Sequence, residues 1–322
     1  MEIFLLTLKQ TLMMFLLLLT GFVLRKRSLL PDNAHVTMSR LETCVFVPAL
    51  NLFTQMTQCT PDSLRANARL IVIGLILVAV FALLSYPLSR LFCNDRNGDA
   101  GQAYRRNIYK YALTFGNFGF MGNFLVLGIW GDEVFYRYSL FTLFIALVCN
   151  VWGLFILIPK DQSNGLLKNL KKGLLTAPTL SMLLGMLLGL LSLTRFVPSF
   201  CTEALSSAGK CMGPVSMVLA GFVIGGYSFR GLLKNPRIYA VTAFRLLLLP
   251  AAMMLALKLL GANTDVQTFA LIVFATPIGL NTIIYPAAYG GETETGASMA
   301  MLSHALSVFT LPLMYLLFIV LL

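Results

Sequence analysis

Two apolar stretches of this 322-residue chain, Tyr111 to Trp130 and Phe269 to Gly290, are each long enough to cross a bilayer, yet each is interrupted near its middle. The interruptions read Gly116-Asn117-Phe118-Gly119-Phe120 and Thr276-Pro277-Ile278-Gly279-Leu280, and Gly119 and Gly279 stand 160 residues apart, about half the chain. A helix broken inside hydrocarbon frees backbone N–H and C=O groups that lipid cannot satisfy, so protein, water or a solute must do so. Matched breaks in two halves of a membrane chain point to a solute site near the bilayer midplane. The bland alternative is that the glycines serve close helix packing and Pro277 is a kink, both common in membrane helices. Two breaks at corresponding positions favour the site.

Hydrophobic residues make up 58% of the chain and charged residues 11%, against roughly a quarter charged in soluble domains. That composition predicts an all-α polytopic membrane protein in contact with lipid. Apolar runs near the ~20 residues needed to cross hydrocarbon give ten spans. The first five are roughly 3–24, 38–57, 68–92, 107–130 and 135–158; the second five are roughly 176–194, 203–226, 237–260, 267–289 and 294–321. The simplest division is two five-helix repeats, 1–160 and 161–322. Spans four and nine are the broken ones. The first span, Ile3 to Leu24, is too long for a signal-peptide core and has no basic stretch ahead of it and no small-residue cleavage site.

The net charge of +11 does not predict nucleic-acid binding, because the basic residues sit in short loops rather than along a soluble face. Loops after spans one, three, five and seven carry Arg25, Lys26 and Arg27; Arg96, Arg105 and Arg106; Lys160, Lys168, Lys171 and Lys172; and Arg230, Lys234 and Arg237. Lys and Arg collect on the cytoplasmic side, so both termini are expected outside the cytoplasm, with the protein multi-pass in a plasma membrane such as the bacterial inner membrane. An odd number of spans per half inverts the second repeat. The acidic loop at Glu292 and Glu294 departs from the basic trend, but acidic residues contribute little to this rule. Six cysteines are scattered singly, without metal or redox spacing, and read as reduced packing residues.

Two half-helices meeting end to end present an N-terminus with partial positive charge, where free N–H groups can hold an anion. Asn117 and Asn123 at one break and Asn281 at the other add neutral donors and acceptors, which suits a small organic anion. In span two, Pro48 frees a carbonyl and Asn51 follows it; in span seven Ser216 follows Pro214. Either can line a cavity or serve as an interhelical hydrogen bond, the commoner fate for Ser216. Ionisable residues within spans need partners or water. Arg245 near the middle of span eight could offset an anionic solute or pair with Glu203. His304 in span ten could relay protons, although a neutral hydrogen-bonded imidazole is the plainer expectation. Arg40 and Glu42 are expected in solvent at a membrane boundary. No H-E-x-x-H, G-x-S-x-G or phosphate-binding loop is present, and two histidines offer little for a metal. No enzyme, cofactor or metal site is expected, and any drive for transport must come from a gradient.

Taken together, Leu30-Pro31, Arg40-Leu41, Pro48-Ala49-Leu50, the run from Asn117 to Gly122, Pro277 with Gly279, Tyr289-Gly290-Gly291, and Ser303 to Pro312 resemble the auxin efflux carrier family over nearly the whole chain. That family includes plant auxin exporters and bacterial permeases assigned to malate and related carboxylates. The resemblance implies an inverted five-plus-five repeat, with spans one, two, six and seven as a scaffold and the rest as a transport domain moving elevator-fashion. It also implies homodimers and a substrate at the crossing of spans four and nine, close to Asn51. With the reading of the breaks above, the candidate substrate-binding residues are Asn51, Asn117, Gly119, Gly122, Asn123, Pro277, Gly279 and Asn281; the ionisable residues Arg245, Glu203 and His304 are coupling or charge candidates on the residue reading alone. Asn123 departs from the proline the family often has there, and no long central hydrophilic loop is present, so the bacterial branch is closer. The expected function is secondary transport of a mono- or dicarboxylate, auxin-like or malate-like. A sodium-coupled symporter like the related bile-acid transporters and a non-transporting ligand sensor are the alternatives.

Overall fold

The computed structural model describes residues 2–93, 99–159, 166–228 and 235–322. Arg96, Lys160, Arg230 and Lys234, four of the basic loop residues used for orientation, lie outside the described residues, as does the side chain of Lys168. Every long apolar run is helical and no strand occurs among the described residues, as expected where each backbone group must find its partner within its own segment.

Helix α1 (Glu2–Lys26) is followed by α2 (Ala34–Leu41), which passes through a π-helical turn (Glu42–Phe46) into α3 (Val47–Gln58). Helix α4 (Pro61–Phe92) starts at a reciprocal cap between Thr60 and Ser63. Then come α5 (Ala100–Thr114), a π-helical turn (Phe118–Gly122) and α6 (Asn123–Ile156), which bends at Gly131, where φ is 77°. The second half comprises α7 (Leu166–Leu174), α8 (Ala177–Leu190), α9 (Ser199–Gly225), α10 (Pro236–Ala243), a π-helical turn (Phe244–Leu248), α11 (Leu249–Leu259), α12 (Thr264–Ala275), α13 (Asn281–Ala288) and α14 (Glu294–Tyr315). The turns at Glu42–Phe46 and Phe244–Leu248 run into Pro48 and Pro250. Proline cannot donate to the carbonyl four residues back, and the ladder shifts register beside it: Val47 N–H reaches Glu42 O, and Leu249 N–H reaches Phe244 O.

Among the described residues, six helices are long and apolar enough to cross a membrane by themselves: Phe4–Lys26, Pro61–Phe92, Phe118–Ile156, Ser199–Gly225, Pro236–Leu259 and Glu294–Leu321. The sequence suggests ten spans. The difference has local causes. Breaking spans four and nine leaves pieces such as α12, of 12 residues, too short to cross alone, and the outer half of span four runs on into span five. Helix α8 has 14 residues, about 21 Å at 1.5 Å per residue. Glu42 also departs from expectation: it is fully buried rather than solvated, whereas Arg40 is exposed.

Helices α1, α3, α8 and α9 pack mainly on one another. Their contacts rest on small residues, as in other membrane bundles: Gly21 lies against the Val218 carbonyl, Gly221 against the Leu18 carbonyl, and Gly185 and Gly189 against Leu52, Gln55 and Cys59. A side chain at Gly221 would collide with backbone, which cannot rotate away. Gly221→Val is therefore expected to destabilise the protein by about 1–3 kcal/mol or more, read as a lowered melting temperature in detergent, while Gly261→Ala, where a side chain meets no neighbour but φ is 65°, should cost only the strain of its backbone.

Candidate functional site

Helix α5 ends at Thr114 and the chain runs extended through Phe115; α12 ends at Ala275 and runs extended through Thr276. The two unwound stretches cross antiparallel, bridged between Gly116 and Ile278. Asn117 N–H donates to Pro277 O at 2.6 Å, and Ile278 N–H donates to Ser303 Oγ at 3.0 Å. Only glycine fits at position 116, because a Cβ there would meet Thr276 and the Arg245 guanidinium.

Four half-helix ends converge here, and their partial charges are treated differently. At the C-terminal ends of α5 and α12, which carry partial negative charge, Arg245 is fully buried. It donates from Nε to Ala112 O at 3.1 Å and from Nη1 to Phe274 O. One cation thus caps two helices. The alternative pairing with Glu203 is not formed, for Glu203 is exposed on α9. The two N-terminal ends, at Phe118 and Asn281, have first-turn N–H groups with no acceptor in their own helices, although at the second end those of Thr282 and Ile283 turn back to Gly279 O and Leu280 O. They face a cavity of about 260 Å³.

That cavity is lined by Asn51, Asn117, Gly119, Asn123, Gly279 and Asn281 of the residues expected from sequence. Among the described residues, no Asp, Glu, Lys, Arg or His contributes to its wall. Gly122 and Pro277 lie behind it. Gly122 makes room for the Tyr138 hydroxyl, which donates to Phe118 O at 3.2 Å, and Pro277 supplies the carbonyl that receives Asn117 N–H. A Cβ at Gly119 meets nothing within 4 Å, so this position borders open space. Ser216 instead donates to Gly213 O within α9, at 2.8 Å.

The asparagines are held in place. Asn117 Nδ2 lies 3.1 Å from His304 Nε2, and His304 Nδ1 lies 2.8 Å from Ala300 O. With Nδ1–H donating to that carbonyl, Nε2 accepts from Asn117 and the imidazole is neutral. Asn281 donates to Tyr111 Oη at 3.0 Å, and Asn51 donates to Pro178 O at 3.1 Å. Sequence reasoning missed Tyr111, Cys149, Asn150 and Tyr285, which bring this network to the far wall. The one signal for them was a polar pair, Cys149-Asn150, inside an apolar run.

A second, larger cavity of about 570 Å³ adjoins the first, and Ser39 and Ile284 border both. Arg25, His35 and Arg40 stand in its wall beside Leu219 and Phe222. Arg25 pairs with Asp32. The larger cavity, near the ends of α1, α9 and α13, has cationic residues in its wall, while the cavity at the crossing is neutral.

These features define a membrane-embedded carrier. A family model described as membrane transport protein matches residues 6–315, and the chain belongs to that family, the auxin efflux carriers. No curated protein matches the sequence.

Removing the guanidinium leaves two buried carbonyl ends without a donor. Arg245→Leu is expected to cost about 3 kcal/mol or more, since hydrogen bonds to charged groups are worth about 1.5–3 kcal/mol each. Thermal unfolding checks this. Arg245→Lys, a point charge without the fork, should fall between.

Proposed function

We propose that this protein is a secondary transporter of a small organic anion, a mono- or dicarboxylate, built as two inverted five-helix repeats of ten spans in all. The observation that carries the reading is the distribution of charge at the crossing: both C-terminal ends are capped by Arg245, and both N-terminal ends are left open to a neutral, asparagine-lined cavity. Backbone N–H groups at helix N-termini hold carboxylates without a cationic side chain. The solute would lie between the first turns at Gly119 and Gly279, with Asn123 and the remaining valences of Asn117 and Asn281 as further partners and Asn51 facing it from α3.

The mutual packing of α1, α3, α8 and α9 supports their role as a scaffold past which the crossing domain moves. On this reading the mouth beside Arg25 and Arg40 opens to the cytoplasm, both termini face outward, and the protein works as a homodimer in the plasma membrane. The neutral state of His304 supports a positioning role through Asn117, and Glu203 has no part at the crossing. Catalysis is not part of this reading.

Counterflow of radiolabelled malate and indole-3-acetate in proteoliposomes tests the function directly, with saturable exchange of at least one expected. Saturable binding without flux would favour a ligand sensor. Gly119→Val should fold normally and lower kcat/KM by about tenfold or more, as filling a tight site typically costs about 1–3 kcal/mol. Asn117→Ala combined with Asn281→Ala should also reduce exchange; unchanged exchange in both variants would displace the site from the crossing.

Broken-helix carriers often coordinate sodium with carbonyls at half-helix C-terminal ends. Here those ends already hold a guanidinium, which disfavours the sodium-coupled alternative. Replacing sodium by choline is expected to leave the rate within about twofold, and abolition of uptake would restore that alternative.

A further inference from the structure

Among the described residues, Glu42 is the one fully buried carboxylate, and the site does not use it. It is fully buried and neither carboxylate oxygen has a hydrogen-bond partner, although it lies well inside the helix running from Ala34 to Gln58. Its neighbours in sequence place it at a particular point of the path. Ser39, one turn earlier, borders both cavities, and Thr43 borders the crossing cavity; Glu42 itself lines neither, and is buried on the same helical stretch, behind the neck where the two cavities adjoin. The π-helical turn it begins is a local departure of the kind often kept at functional positions. The elements chiefly packed against that turn are α2, α3, α8 and α9. Helices α3 and α8 carry no Asp, Glu, Lys, Arg or His; α2 carries His35 and Arg40; α9 carries Glu203 and Lys210, with the thiols of Cys201 and Cys211, and Cys44 lies in the turn itself. None of them bonds to the Glu42 carboxylate. An unpaired ionised carboxylate in such a place carries a large desolvation cost that a neutral acid avoids.

We propose that Glu42 is a proton-binding site coupled to passage of the anion through the neck at Ser39, making the protein a proton–anion symporter. The proposal rests on the transporter reading above. The step is a proton transfer alone: hydronium in the vestibule protonates a carboxylate oxygen and leaves water, and the proton returns to water on the opposite side, with no electron moved. Symport follows from electrostatics. An anion in the adjoining cavity repels an ionised Glu42 through a low-dielectric wall, so anion and proton each favour the binding of the other, by the same factor.

Two measurements test this. In proteoliposomes loaded for malate uptake, an outward-acid pH difference should raise wild-type accumulation by up to about tenfold per unit, with an entrapped dye recording about one proton per malate. Glu42→Gln, which imitates the protonated acid, should keep malate counterflow within about twofold and lose the response to the pH difference. A pH response that persists in this variant, or wild-type exchange with no accompanying proton, would overturn the proposal. Infrared difference spectra of purified wild type against Glu42→Gln read protonation without transport, so a failure of malate to exchange, which bears on the transporter reading, leaves this arm decisive. A carboxyl band lost in the variant and titrating with pH supports the site; no such band, or one that never titrates, overturns it.

Discussion

The structure depends on how peptide groups released at the two helix breaks are satisfied. Breaking α5 from α6 and α12 from α13 strands N–H and C=O groups where lipid offers no partner. Four kinds of partner meet them: the opposite unwound strand, through Asn117 N–H and Pro277 O; a hydroxyl, Ser303, for Ile278 N–H; a phenol, Tyr138, for Phe118 O; and Arg245 for two carbonyls. Each break is tolerable because the other lies across it. The first turns at Phe118–Phe120 and Gly279–Asn281 border the cavity, and on the proposed reading an anion would complete the N–H groups left there.

On the proposed reading, the same bookkeeping would favour anions. Arg245 neutralises the negative ends from behind without lining the cavity, so the positive ends dominate inside it. A low-dielectric surround strengthens such fixed dipoles. In the wall of the larger cavity, Arg25, paired with Asp32, and Arg40 add cationic charge that on the proposed reading would draw anions toward the crossing. The aromatic packing beneath, with Phe81 stacked on Phe274 at 3.9 Å and Tyr138 edge-on to Phe269, holds the last turn of α12 in place.

Much of this was legible in the sequence. Gly, Asn and Pro inside apolar runs marked both breaks, because each residue type either cannot continue a helical ladder or competes with it, and six of the eight residues expected at the site line one cavity. What sequence could not give is pairing across long separations. The Arg245 contacts with Ala112 and Phe274 join residues far apart in the chain, and nothing local distinguishes a guanidinium that caps helices from one that meets a solute. Glu42 was misread for the same reason: its position near Arg40 suggested a boundary, while its burial follows from how α8 and α9 close over it. Gly122 carried the same local signal as Gly119, yet it faces Tyr138 instead of the cavity. Length alone identifies six spanning helices among the described residues, since a broken helix no longer has spanning length; the ten-span arrangement stands as a proposal.

The most direct test is chemical accessibility at the crossing itself. A single cysteine at position 119, in a background lacking the native cysteines, meets no steric obstacle and can be titrated with methanethiosulfonate reagents of opposite charge in membranes. Modification should occur, should be faster with the anionic reagent than with the cationic one, and should be slowed by a transported carboxylate. Preference for the cationic reagent, or no reaction with either, would contradict a water-filled anion pocket where the two broken helices meet.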